Sequence, residues 1–224
     1  MIEYLNDIDT EALLAINGLN DAFQDAFWPL LTALWASLLL LFALLWVLLR
    51  DASRRRTALL TIAMLVLVFV VADQVSATII KPLVERLRPT QDPSLTGLVH
   101  IVNGYKGGRY GFVSSHAANS FAAVMFVSLL MRRRVVAVSL FVWAALQCYS
   151  RMYLGVHYPG DILGGTILGL LVGWLVYRLY LSLQQRLQLS PIDYTPIDAR
   201  LVAGSVWVTV IALLAAACVE LMCQ

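Results

Sequence analysis

The chain has 224 residues, 60% of them hydrophobic and 13% charged, with a mean hydropathy of +0.78. Soluble domains carry about 25% charged residues, so this chain has too little polar material to coat a globule and reads as a membrane protein. A net charge of +2, few glycines and prolines, and three cysteines (Cys148, Cys218, Cys223) without a C-x-x-C pair exclude disorder, collagen-like repeats, a nucleic-acid module, a disulfide framework and a zinc site.

Residues 1–27 hold Glu3, Asp7, Asp9, Glu11, Asp21 and Asp25 and no Lys or Arg, which does not fit the positive start of a cleavable signal peptide. Within them Leu5, Ile8, Leu13, Ile16, Leu19, Phe23 and Phe27 recur at three- and four-residue spacing, which predicts one amphipathic helix on the membrane surface over residues 3–27. Uninterrupted apolar runs then predict an all-α fold, a single domain over 1–224 with six transmembrane helices at about 28–49, 57–80, 115–131, 135–149, 162–181 and 201–222. The first run, at 1.5 Å per residue, is about 33 Å long and matches a hydrocarbon core of about 30 Å. The third and fourth are short, so their ends are expected to extend into the flanking polar segments. Arg50, Arg54, Arg55, Arg56, Arg132, Arg133, Arg134, Arg178, Arg186 and Arg200 fall at one set of span ends, which predicts that side as cytoplasmic and both termini as outside. Five of the other six cations lie in one outer loop, 81–113, against the charge rule unless they have a task.

Three clusters sit at span ends on that outer face. The first, KPLVERLRP (Lys81–Pro89), reads by itself as interfacial cations whose stems lie along apolar surface. In the second, GFVSSHAANS, Ser114 is placed to cap the third span, with Ser115 and His116 in its first turn. A helix start offers unpaired N–H groups to an oxyanion, although taken alone this serine is simply a cap. In the third, SRMYLGVHYPGD, Pro159 suits the first turn of the fifth span and sets His157 just before it, with Asp161 close behind. A carboxylate beside an imidazole fixes its tautomer and frees the other ring nitrogen as a base or nucleophile, although such pairs are also common structural features.

These residues resemble the type 2 phosphatidic acid phosphatase superfamily, integral-membrane lipid phosphatases related to bacterial haloperoxidases and glucose-6-phosphatase. Of the family's motifs K-x6-R-P, P-S-G-H and S-R-x5-H-x3-D, the first is matched by Lys81, Arg88 and Pro89, and the third by Ser150, Arg151, His157 and Asp161. The middle one departs from the pattern: Val113 replaces Pro and Ser115 replaces Gly, leaving Ser114 and His116 as the matching pair. The resemblance implies that His157 attacks phosphorus to give a phosphohistidine, with Asp161 orienting it. It further implies that His116 protonates the leaving oxygen and then activates water, while Lys81, Arg88, Arg151, Ser114 and Ser115 hold the phosphate oxygens. The cation cluster takes the place of a metal ion, so no metal or cofactor is expected.

Lys106 and Arg109, in NGYKGGRYGF, are either a solvated loop tip or a site for a second phosphate. If they face the site, the substrate is a diphosphate, and undecaprenyl pyrophosphate is the leading expectation. Phosphatidylglycerol phosphate, phosphatidic acid and lipid A phosphates are the alternatives. The expected partners are a lipid phosphate and membrane lipids, with no nucleic acid, in a multi-pass protein of the bacterial inner membrane. An anion or lipid transporter that cleaves nothing is the competing class.

Overall fold

With no water in a bilayer core to satisfy peptide groups, apolar runs close their hydrogen bonds within helices. The computed structural model describes residues 2–223 and is all-helical; among them the one extended pairing is a bridge between Leu87 and Tyr110. In chain order the helices are α1 (Ile2–Asn17), α2 (Ala22–Thr32), α3 (Leu38–Leu49), α4 (Arg55–Asp73), α5 (Lys81–Val84), α6 (Ser115–Met131), α7 (Arg134–Tyr153), α8 (Pro159–Arg186) and α9 (Pro196–Met222). Four helical runs, Ala52–Val84, α7, α8 and α9, are long and apolar enough to cross a membrane. A fifth is made by α2 with Leu34–Leu49 if their 64° bend falls within one span, and α6 is apolar but shorter at 17 residues.

The expected surface helix over 3–27 is two helices. Asp21 accepts a hydrogen bond from Gln24 N at 2.8 Å and caps a new helix, so the chain leaves helical geometry between Asn17 and Asp21. Nor does its apolar stripe serve lipid alone: Leu13 is fully buried with Leu95 and Tyr158 of the protein itself. Met1 and the Leu5 side chain lie outside the described residues. The first expected span, 28–49, is broken at Ala33, whose backbone is extended. The break is tolerated because α7 meets the freed groups, Gln147 Nε2 donating to the Leu31 carbonyl at 2.7 Å.

The second span continues from α4 through a π-helical stretch, Gln74–Ile80, into α5, and stops where Glu85 turns left-handed. The later spans run longer than expected: α7 reaches Tyr153, α8 starts at Pro159, and α9 starts at Pro196 behind a Thr195–Asp198 capping box.

The parallel pair α6 and α8 lies at the centre. Gly165, Gly169 and Gly173 form one stripe of α8, and a Cβ at each would strike the backbone oxygens of Ser114, Ala118 and Ala122 in turn. Lacking side chains there, the two backbones close together, as small residues allow in membranes. Both helices therefore begin at one end of the bundle, where α5 ends and α7 delivers Arg151.

The opposite end is fastened by Arg50–Asp198 (2.6 Å), Arg132 to the Tyr177 hydroxyl (3.1 Å) and Arg133 to the Tyr194 carbonyl (2.8 Å).

Candidate active site

Each motif is carried by a helix end, and the seam between α6 and α8 sets the ends side by side. Ser114 N donates to the Asp161 carbonyl at 3.0 Å, tying the start of α6 to the first turn of α8, while Ser114 Oγ accepts from Ala117 N. The π-helical stretch turns Ser76 and Lys81 toward the same point: the Ser76 hydroxyl lies 2.9 Å from Ser115 Oγ, and Lys81 Nζ donates to it at 2.8 Å.

His157 is almost fully buried. Its Nδ1 lies 3.3 Å from Asp161 Oδ2 and its Nε2 3.0 Å from Arg88 Nη1. A guanidinium only donates, so Nε2 must be the acceptor and the proton sits on Nδ1, facing the carboxylate. Burial first, then Arg88, Arg151 and Lys81, holds the imidazole well below its ordinary pKa, so it is neutral at neutral pH. Its Nε2 lone pair accepts from Arg88, so attack on phosphorus requires that guanidinium to transfer its hydrogen bond to a phosphate oxygen, which frees the lone pair.

Arg88 is fixed by bonds to the Tyr110 carbonyl (3.1 Å) and the Val156 carbonyl (3.1 Å). Arg151 is buried too, with Nη1 on Thr32 Oγ1 at 3.1 Å and Nη2 on the Tyr105 hydroxyl at 2.8 Å; among the described residues its Nε has no partner. Lys81, Arg88, Arg151 and His157 all lie close enough to His116 to act on it electrostatically. His116 itself is exposed to a cavity of about 340 Å³ walled also by Thr32, Asn103, Tyr105 and Arg151. Lys81, Arg88 and Arg151 lie close enough to repel one another unless an anion joins them, so the cluster suits an oxyanion. An apolar cleft, also about 340 Å³, runs below it between α3, α4, α6 and α7, from Ser120, one turn past His116, to Val127.

The motif residues Lys81, Arg88, Ser114, Ser115, His116, Arg151, His157 and Asp161 thus converge. Lys106 and Arg109 do not join them: both are exposed, and Arg109 lies over the Tyr110 ring at 5.4 Å. Two contributors escaped the sequence reading. Arg86, taken there as an interfacial cation, donates to Asp161 Oδ1 at 3.0 Å. Gly111 packs so closely on Asp161 that a Cβ would meet Oδ2 at 2.6 Å. A second Arg two residues before Arg88 was the available signal for the first; nothing local distinguished the second.

Residues 62–185 match the model of the PAP2 superfamily. The chain is 40% identical, over 84% of both chains, to a lipid A 4'-phosphatase of Bacteroides thetaiotaomicron. It is 33% identical to a lipid A 4'-phosphatase of Porphyromonas gingivalis, over 83% of this chain and 78% of that one. Among solved structures, the transmembrane PAP2 type phosphatidylglycerolphosphate phosphatase from Bacillus subtilis aligns with a TM-score of 0.60 and 26% identity, over 80% of this chain and 87% of that one.

Proposed function

Since the chain belongs to the PAP2 superfamily and is a multi-pass membrane lipid phosphatase, we propose that it hydrolyses the phosphate monoester of a lipid A-type glycolipid through a phosphohistidine at His157. The observation that carries the mechanism is the neutral, Nδ1-protonated His157 beneath Arg88, beside a free His116. Nε2 forms a bond to phosphorus as the bond from phosphorus to the sugar oxygen breaks, and His116, which takes up a proton from solvent as the anionic phosphate settles among the cations, donates it to that oxygen. His116 then takes a proton from water, whose oxygen displaces the imidazole and releases inorganic phosphate. Lys81, Arg88, Arg151 and the start of α6 stabilise the charge on the nonbridging oxygens in both steps, the task a metal ion performs elsewhere.

The substrate reading rests on the two lipid A 4'-phosphatase relatives, each matched over most of this chain. The undecaprenyl pyrophosphate expectation depended on Lys106 and Arg109 reaching a second phosphate, and their exposed positions lend it no support. The apolar cleft below His116 suits acyl chains. In this reading α6 completes six crossings, the arginine-rich end faces the cytoplasm, and the site opens at the outer face of the inner membrane.

The test is phosphate release by the purified protein from a panel of lipid A 4'-phosphate, phosphatidic acid, phosphatidylglycerol phosphate and undecaprenyl pyrophosphate, with EDTA present. Lipid A 4'-phosphate should be turned over best and EDTA should not matter. Label from the substrate phosphate should be trapped on wild-type protein and lost in His157→Ala. Label on another residue, or full activity of the alanine variant, refutes the nucleophile; preference for the diphosphate refutes the substrate.

A further inference from the structure

Asp161 is fully buried and uses both carboxylate oxygens. Oδ2 faces His157 Nδ1 and accepts from Tyr158 N at 3.1 Å; Oδ1 accepts from Arg86 Nη1. The Arg86 guanidinium carbon lies over the Tyr158 ring, 4.0 Å from its centroid, and its second nitrogen donates to Asp9 Oδ2 at 2.7 Å. Asp9 turns its other oxygen to the first turn of α8, accepting from Gly160 N at 2.7 Å. Gly160 leaves the space for it, since a Cβ there would meet Asp9 Oδ2 at 2.7 Å. Helix α1 is thus attached to the nucleophile's support at two points.

We infer that Asp9 and Arg86 are positioning residues of the phosphatase reaction, holding the Asp161 carboxylate, and through it the His157 ring, in line for attack on phosphorus. A buried carboxylate without a cation is costly, and Arg86 supplies that cation without drawing on the phosphate-binding set of Lys81, Arg88 and Arg151. As Nε2 bonds to phosphorus the imidazole gains positive charge, so the carboxylate behind Nδ1 must stay anionic and aligned at that moment. A doubly bonded guanidinium held over a ring has one geometry, which makes it a suitable brace. Asp9 fixes that geometry and also caps α8. Asp9 lies outside the residues that match the family model, and the brace joins the N-terminal helix to that matched region.

The inference rests on the His157 and Asp161 roles proposed above, and the experiment separates the two. Full-length variants are assayed on the best lipid of the panel, together with inhibition by inorganic phosphate, which reports the cation cluster alone. Asp9→Asn is expected to lower kcat about threefold to tenfold and Arg86→Gln about tenfold or more, the loss of one and of two charge-assisted bonds. KM and phosphate inhibition should stay within about twofold, and Asp9→Glu should recover most of the rate. In the exchange Asp9→Arg with Arg86→Asp, the tie to α1 is restored but a second carboxylate faces Asp161, so kcat should stay at or below that of Arg86→Gln. Recovery in the exchange, an unchanged kcat in Asp9→Asn, or a loss confined to KM would overturn the inference. If Arg86→Gln does not fold, Asp9→Asn decides alone, because it leaves the Arg86–Asp161 pair in place. Failure of the nucleophile reading shows elsewhere, as retained phosphoenzyme in His157→Ala.

Discussion

His157 owes its neutrality to its surroundings. Burial and the three neighbouring cations oppose a proton on Nε2, and Asp161 keeps the one on Nδ1. Spectra of protein carrying ¹⁵N-labelled histidine should therefore show, at about pH 5.5, one imidazole still neutral in the Nδ1–H form, below the ordinary value of about 6.5. That signal should vanish in His157→Gln; if the signal lost in that variant is instead a cationic ring, or a neutral ring protonated on Nε2, the tautomer assigned from Arg88 is ruled out. The same shift has a consequence for stability. The unfolded imidazole binds a proton more readily than the folded one, so stability is full above about pH 6.5 and falls as the pH drops below it toward the folded value. Unfolding in micelles at about pH 7.5 and 5.5 should show this loss, and a smaller one in His157→Gln.

At the scale of elements, the catalytic geometry depends on a seam far from the chemistry. Gly165, Gly169 and Gly173 let α8 lie against the backbone of α6, which is what sets Asp161 beside Ser114. Gly169→Val should force the helices apart, costing about 1–3 kcal/mol as an overpacked core does, and should lower kcat with it. Gly204→Ala in α9 is the control: nothing lies within 4 Å of the added Cβ, and helix propensity favours Ala by about 1 kcal/mol. Unfolding by denaturant in micelles and the rate of phosphate release measure both; a neutral Gly169→Val would show that the seam has slack. The π-helical stretch before α5 matters likewise, since it brings Ser76 and Lys81 together on Ser115.

The whole molecule separates its charges by end. Arg132 and Arg133 at the α6–α7 turn and Arg50 after α3 make hydrogen bonds to Tyr177, Tyr194 and Asp198, whereas at the other end Arg151 lines the cavity and Arg88 bonds to His157. The proposed orientation, with the cavity outward, is checked by single cysteines in intact cells after the native three are replaced. An impermeant thiol reagent should label the exposed position 106 or 109 and not position 55, and the reverse result would invert the orientation. It also bears on substrate supply, because a lipid that presents its phosphate at the outer leaflet reaches this end alone.

Helices, membrane residence and the three motif clusters follow from the sequence because each is local: an apolar run must satisfy its own backbone, and the Lys81–Pro89, Ser114–His116 and Ser150–Asp161 spacings each lie within a short stretch of chain. The break of the expected surface helix at Asp21 was local too, but the long three- and four-residue apolar rhythm masked a single capping residue. The polar groups at the bend beside Ala33 are met by Gln147 and Arg151, more than a hundred residues away in the chain, so no window of sequence holds the partners that make it tolerable. Lys106 and Arg109 could not be placed from spacing, because a loop charge is directed by the fold of the loop. Arg86 and Asp9 carry no motif of their own; their place behind Asp161 exists only where α1, the outer loop and α8 meet, and tertiary structure alone turns two ordinary surface charges into a brace.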